Sequence, residues 1–394
     1  MVQPVRAGVI IMSIRVVGID IAKNLFQVCV LSSDGQILSN RKVKRDKLLD
    51  TVRQLPEKTA IAMESCATSH HWGRIFQELG HSVALIPAQH VKPFVGRQKN
   101  DANDARAICE AFSRPDIHFV PVKSVEQQDL KAIRSVRKRL VENRTALSNQ
   151  IRGLAAEYGV VFPLSIKALR SHLPIALEDA ENDLSPVMRN LLQTLYCDFV
   201  SLSEEIDEMT QSVTMLSQQN PRYEAIRNIP GFGPILTAAL ISEVGAGHQF
   251  QNGRQFSAWC GLVPKQNSTG GKSCLGSLSK NGNRELRALL IHGARAVVRC
   301  GANKVDSMGA WLRGLIARRG KAKAIVALAN KLGRVAWHIL VKNSEYDINQ
   351  AFKPVCFASI RLSFPHQSKR SGNHGLLRLD CIASSWLFCN EVLV

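Results

Sequence analysis

The chain has 394 residues, 45% hydrophobic and 21% charged, which excludes a disordered polyelectrolyte and leaves room for two or three domains. Its net charge of +19 favours a polyanionic partner, because each phosphate neutralised releases counterions. Ten cysteines without a CxxC pair or a Cys/His cluster exclude a zinc site or disulfide framework and suggest a reducing cytoplasm.

No apolar run reaches transmembrane length, so no membrane partner is expected and the location read is cytoplasmic, on the nucleoid. The apolar Val9, Ile10 and Ile11 are too short and too poorly flanked for a signal peptide, and Met12 is as good a start as Met1. Cys29, Cys66 and Cys109 sit in apolar periodic segments and read as buried thiols.

In chain order, β-branched runs predict strands over Ile14 to Ile19, Leu25 to Leu31 and about Gln36 to Val43, with Asp34-Gly35 as a hairpin signal. A helix over Lys47 to Leu55, a buried strand over Thr59 to Met63 and a helix over His71 to Leu79 follow, the last ended by Gly80. Val83 to Pro87 reads as a strand and Asp101 to Phe112 as a helix stopped near Pro115. Three antiparallel strands followed by alternating β and α elements are the ribonuclease H-like arrangement, here over 14–120.

Residues 121–222 read as a helical region. Ile133, Leu140, Leu147 and Leu154 recur at sevens on one long helix, which suits either a coiled-coil-like arm or a plain core-facing helix. A second long helix, Pro186 to Gln218, carries Leu191, Leu195, Val200, Ile206, Met209, Val213 and Leu216 as its apolar stripe. A mostly α domain is expected over 223–347, and 348–394 reads as a disordered or atypical tail. From Leu262 to Glu345 the excess of Lys and Arg over Asp and Glu is +13, so nucleic-acid binding should centre there.

Four acids stand out. Asp20 ends the first strand and Glu64 the fourth; Asp101 and Asp104, three apart, share one face of a helix start. In this fold the first and fourth strands are neighbours, so the set would gather at one sheet edge. Carboxylates so crowded repel unless cations bind them, and hard oxygen donors select Mg²⁺ or Mn²⁺. Two such ions about 4 Å apart suit phosphodiester cleavage. The competing reading of Asp101 is a helix cap.

Farther on, Ile229-Pro230-Gly231-Phe232-Gly233-Pro234 joins two helical segments in a helix-hairpin-helix pattern. Its turn would offer backbone N–H groups to a phosphate, or is simply a packing unit in which glycine is a steric necessity. The stretch Lys265-Gln266-Asn267-Ser268-Thr269-Gly270-Gly271-Lys272 reads as a flexible electropositive loop. It suits a phosphate cradle, a nucleophilic Ser268, or an ordinary Ser/Thr/Gly turn. A second basic turn with Lys280 and Arg284 leads into a helix carrying Arg287, Arg295 and Arg299, candidate phosphate contacts.

Gly18-Ile19-Asp20-Ile21-Ala22-Lys23, Met63-Glu64, the Lys99 to Arg106 run, the Pro230 to Gly233 hairpin and Gly261-Leu262-Val263-Pro264 to Gly271-Lys272 occur in one order. Together they resemble the DEDD transposases of the insertion-sequence one-ten/eleven-eleven family, from about Ile14 to Lys342. The resemblance implies a RuvC-like N-terminal domain with Asp20, Glu64, Asp101 and Asp104 on Mg²⁺. It also implies a C-terminal transposase domain whose serine, Ser268 with Thr269 as the neighbouring register, links covalently to DNA. It implies donor and target DNA and a structured bridge RNA as partners, and a homo-oligomer, dimer or tetramer, with composite sites. The tail after Asp347 departs from the family pattern. Two other readings remain: a metal nuclease whose acids cut alone, and a decayed protein that only binds nucleic acid.

Overall fold

The computed structural model describes residues 13–96 and 100–353. The choice between Met1 and Met12, Lys99, and the tail from residue 354 lie outside the described residues.

Three β-rich runs make an antiparallel meander: β1 (Ile14–Asp20), β2 (Leu25–Ser32) and β3 (Ile37–Lys44), with Gly35 at φ 79° in the last turn. Then come α1 (Arg45–Arg53), β4 (Ala60–Glu64), α2 (Ser69–Glu78), β5 (Ser82–Ile86), a short α3 (Ala88–Val91) that periodicity did not reveal, and α4 (Asp101–Phe112). The sheet order is β3-β2-β1-β4-β5, with β4 parallel to β1 and β5 parallel to β4. This mixed sheet with flanking helices is consistent with a ribonuclease H-like start. One face buries Val17, Ile19, Phe26, Ile61 and Met63 against α1 and α2; the other buries Val16, Cys29, Ala62 and Ile86 against α4. Each large apolar side chain so enclosed contributes about 1.5–3 kcal/mol.

The rest is helical. Helix α5 (Val125–Ala156) opens on a capping box made by Ser124 and Gln127. Helix α6 (Ile166–Glu178) was not foreseen, and Pro174 lies inside it. Helix α7 (Pro186–Gln218) runs antiparallel to α5: Arg137 Nε donates to Thr210 Oγ1, while Ile151 and Ala155 pack with Leu192 and Phe199. The buried stripe of α7 keeps Ile206 and Val213 of the expected set, with Leu195, Val200 and Leu216 packed partly against the cores. Leu192, Phe199, Ile206 and Val213 face inward at intervals of seven, and Leu191 is exposed. The steps of four, five and six from Leu191 to Ile206 ran off the sevenfold track, which passes through Leu192 and Phe199 instead.

The C-terminal core is built from α8 (Tyr223–Arg227), α9 (Pro234–Val244), α10 (Gly253–Trp259), α11 (Arg284–Gly301), α12 (Ser307–Arg319) and α13 (Lys321–Lys342). A hairpin, β6 (Pro264–Thr269) and β7 (Lys272–Leu278), interrupts the helices. Helix α13 is long and apolar enough to cross a membrane, but Leu328, Leu332, Ala336 and Ile339 bury its stripe in this core. The core also passes the expected boundary at 347. Helix α14 (Ile348–Ala351) brings Phe352 to 2% exposure, 5.5 Å from the Trp311 ring.

A buried polar hub joins the sheet to the helical part. Lys123, before α5, donates from Nζ to the Ser242 carbonyl and to Glu243 Oε2, both at 2.7 Å. Its backbone N–H donates to His70 Nδ1 at 3.2 Å, and its carbonyl accepts from Arg74 at 2.9 Å. Arg134 of α5 donates to Ser242 Oγ and pairs with Glu285 of α11, both at 2.7 Å.

Candidate carboxylate site and nucleic-acid interface

Strand pleating decides which acids meet. Side chains alternate between sheet faces, so Val17 and Ile19 lie under α1 and α2 while Val16, Gly18 and Asp20 face α4. On β4, Ile61 and Met63 go one way and Ala62 and Glu64 the other. The parallel register pairs Ile19 with Met63, so Asp20 and Glu64 end neighbouring strands on one face.

Helix α4 carries Asp101 and Asp104 in its first turn, where the partial positive charge of a helix start stabilises anions. Asn100 is the cap, accepting from the Asn103 N–H at 2.8 Å, so Asp101 is freed from that role. Gly18 permits the close approach: a Cβ there would stand 2.6 Å from the Ala105 carbonyl oxygen and 2.5 Å from Cys109 Sγ. A polar relay clips the helix start to the sheet. Buried Gln27 donates to Asn40 Oδ1 at 2.6 Å, and Asn40 Nδ2 donates to the Ala102 carbonyl at 3.0 Å. Lys42 Nζ lies 3.4 Å from Asp101 Oδ2.

The acids act on one another. Burial first, then Asp104, Asp101 and Glu64, push the Asp20 carboxyl up to about 6. A cation would relieve this repulsion, and an all-oxygen donor set fits a hard divalent ion. As placed, no three His, Cys, Asp or Glu side chains among the described residues close on one point. Cys66, expected to be buried, is instead exposed near Glu64; Cys29 and Cys109 are buried as expected. Partial desolvation of its sulfur, then Glu64 and Asp20, push the Cys66 thiol up.

Ser268 stands in a different sheet from the acids. Its segment is a ladder rather than a flexible loop: Thr269 pairs with Lys272 across Gly270 and Gly271, whose φ of 54° and 77° suit a two-residue hairpin turn. Lys265, Ser268, Thr269 and Lys272 are exposed, and Ser268 Oγ accepts from Gln266 Nε2 at 2.9 Å.

Lys280, Arg284 and Arg295 are exposed, as a phosphate contact requires. Arg287 is not. It is 9% exposed and donates from Nη1 to the Cys260 carbonyl at 3.0 Å and the Asn281 carbonyl at 3.1 Å. It braces the chain beside the hairpin, which corrects its expected place on a phosphate. Gly231, at φ 84°, packs against Gly293 of α11, and Gly233 is the N-cap of α9. Sequence reasoning missed Gln27, Asn40 and Lys42; the one signal was polar residues on strands beside the acids.

A family model described as a transposase, of the DEDD IS110 type, matches residues 17–160, and one described as "Transposase IS116/IS110/IS902 family" matches residues 223–308. The transposase for insertion sequence element IS1111A of Coxiella burnetii is 42% identical over 84% of this chain and 91% of its own length. A probable family 20 transposase of Pseudomonas aeruginosa is 43% identical over 85% of this chain and 99% of its own. The transposase for element IS1328 of Yersinia enterocolitica is 34% identical, covering 85% and 99%. The two family models follow each other in the order of the acid site and the helical core, and the chain belongs to the IS116/IS110/IS902 family of insertion-sequence transposases.

Proposed function

We propose that this transposase cuts and exchanges DNA strands with two sets of groups. Asp20, Glu64, Asp101 and Asp104 hold Mg²⁺ or Mn²⁺, and Ser268 is the nucleophile. The observation that carries this is the convergence of two neighbouring strand ends and one helix start on a single sheet face. When bound, the ion would supply charge neutralisation and activation of an attacking oxygen. The chain's own acids position it, and the Gln27–Asn40 relay keeps the two helix-borne acids against the two strand-borne ones.

Ser268 Oγ forms a bond to phosphorus as a phosphodiester P–O bond breaks. The Ser268 proton is lost, and the departing sugar oxygen gains one and leaves as a hydroxyl. Because Ser268 and the acids lie in separate sheets, the reading includes a homo-tetramer or dimer in which different copies complete one site. It further takes residues 14–120 as the catalytic domain, 121–222 as a coiled-coil-like spacer and 223–347 as a transposase domain with a helix-hairpin-helix. A bridge RNA and both DNAs bind the basic surface of Lys265, Lys272, Lys280, Arg284 and Arg295. The same separation of sheets favours a second reading, in which the acids cut alone.

A covalent-trapping assay tests this. Protein, Mg²⁺, the RNA encoded beside the gene and labelled donor and target DNA are mixed, denatured and run on a gel. An adduct lost in Ser268→Ala and kept in Thr269→Ala supports serine exchange. Cleaved DNA without an adduct, still formed by Ser268→Ala, supports the acids-only reading.

A further inference from the structure

A shallow hollow of about 640 Å³ opens at the end of the sheet where β1 and β4 finish, on the side of α1 and α2, lined in part by Leu25, Lys44, Arg45, Asp46, His71 and Trp72. Ligand sites commonly fall between about 300 and 1,000 Å³. Three features of its position matter. Its β2 wall begins just after the turn that follows Asp20, and its α2 wall just after the turn that follows Glu64. Lys44 lies two residues along β3 from Lys42, the partner of Asp101, a step of about 6.6 Å. The stretch from Arg41 to Lys47 holds five basic residues and one acid, Asp46.

Lysines on an edge strand can serve only to keep other strands away. Arg45 does something more. Its guanidinium lies 5.3 Å from the Trp72 ring and 5.9 Å from the Phe26 ring, and its Nη1 donates to the Lys23 carbonyl at 3.1 Å. An edge guard requires no such anchoring. A fixed guanidinium beside the half-exposed Leu25 offers a surface on which a nucleobase stacks.

We propose that this hollow holds one nucleotide of the DNA strand that runs to the acids, with its base on Leu25 and the Arg45 guanidinium and its phosphate on Lys44. The inference rests on the acids being the cutting site, and it places a nucleic-acid contact in the N-terminal sheet, away from the basic C-terminal surface.

Site-specific crosslinking of the full chain tests it. A photo-reactive p-benzoylphenylalanine replaces Leu25, or, as control, Ile37 at the opposite end of the β2–β3 pair. Each protein is irradiated with labelled single-stranded DNA, with RNA of the same sequence, and with duplex DNA. The expected result is strong crosslinking of single-stranded DNA from position 25 and little from position 37. Lys44→Glu should cut the position 25 signal by about tenfold, since it reverses one charge against the phosphate. Equal signals from both positions, preference for RNA or duplex, or indifference to Lys44→Glu would overturn the proposal. Cleavage by Asp20→Asn is read in parallel. A persistent crosslink with persistent cleavage removes the acid reading and leaves the hollow. A missing crosslink with abolished cleavage removes the hollow and leaves the acids.

Discussion

Gly231 and Gly293 meet backbone to backbone. A Cβ on Gly231 would stand 2.7 Å from the Gly293 carbonyl oxygen, and one on Gly293 would overlap the Gly231 carbonyl oxygen. The turn before α9 is thereby seated on α11, and only glycine at both positions allows it. Gly293→Ala should lower stability by about 1–3 kcal/mol, the usual cost of overpacking. Gly153, exposed in α5 with nothing near its Cβ direction, is the contrast: Gly153→Ala should raise stability by about 0.5–1 kcal/mol. Urea midpoints of the two variants check the pair of signs.

Asp20→Asn should abolish cleavage and at the same time stabilise the fold. The carboxyl is pushed up to about 6 by burial and by three like charges, so removing its charge relieves a native-state strain. The gain is about 1 kcal/mol once solvent screening is allowed for. Thermal unfolding near neutral pH, beside a cleavage assay, measures both. A variant that lost stability and kept activity would refute the crowding of acids at this site.

Asn40→Ala breaks the relay to the Ala102 carbonyl without touching an acid. Helix α4 then holds Asp101 and Asp104 less firmly. Apparent Mg²⁺ affinity in the cleavage assay should fall by about tenfold, as for other residues that orient metal ligands. The unfolding midpoint should move little. An unchanged Mg²⁺ requirement would mean that α4 is held by its apolar face alone.

His70 gives the fold a defined weakness to acid. Burial, then Lys123, Lys131 and Arg74, hold its imidazole down at about 4 against its usual 6.5, with Glu243 opposing. The folded chain therefore keeps His70 neutral while the unfolded chain protonates. Stability from this source is complete above about 6.5 and is lost as pH falls from there to about 4. Asn at this position keeps an acceptor near Nδ1 and does not titrate. The unfolding temperature of His70→Asn should fall less than that of the wild type across this window.

Arg287 and Arg295 should separate cleanly. Arg287→Ala leaves two carbonyls near the hairpin without their donor and should lower stability by about 1.5–3 kcal/mol. Arg295→Ala should leave stability alone and reduce the salt slope of nucleic-acid binding by about one unit. Denaturation curves and salt titrations of the two variants make the comparison.

The N-terminal layers were readable because each element there carries its own period. β-branched alternation marked the strands, Gly80 marked a helix end, and Asp20 and Glu64 stood at strand ends whose order implied adjacency. What escaped depends on contacts between distant segments. Nothing local to Arg287 says that its guanidinium turns inward toward Cys260 and Asn281. The relay from Gln27 through Asn40 to Ala102 spans three elements. The stripe of α7 was caught in part: Ile206 and Val213 are buried as expected, but Leu192 and Phe199 were missed beside Leu191 and Val200, because packing against α5 decides between neighbouring apolar positions. The serine segment looked like a loose turn because Asn and Gly have weak strand preference, whereas the Gly270-Gly271 turn zips it into a ladder.

The hub around Lys123 has a consequence for how such an enzyme behaves when alone. Desolvated charges bind the sheet to the helices through Glu243, Ser242 and Arg134, and breaking one partner of such a pair costs about 3–5 kcal/mol. The hub therefore resists any movement of the helical core against the sheet within one chain. If the hairpin serine and the acids of different copies work together, reactivity belongs to an assembly, and a stray monomer on the chromosome is harmless. The rigidity of one lysine's surroundings would then act as a safety catch against unscheduled cutting.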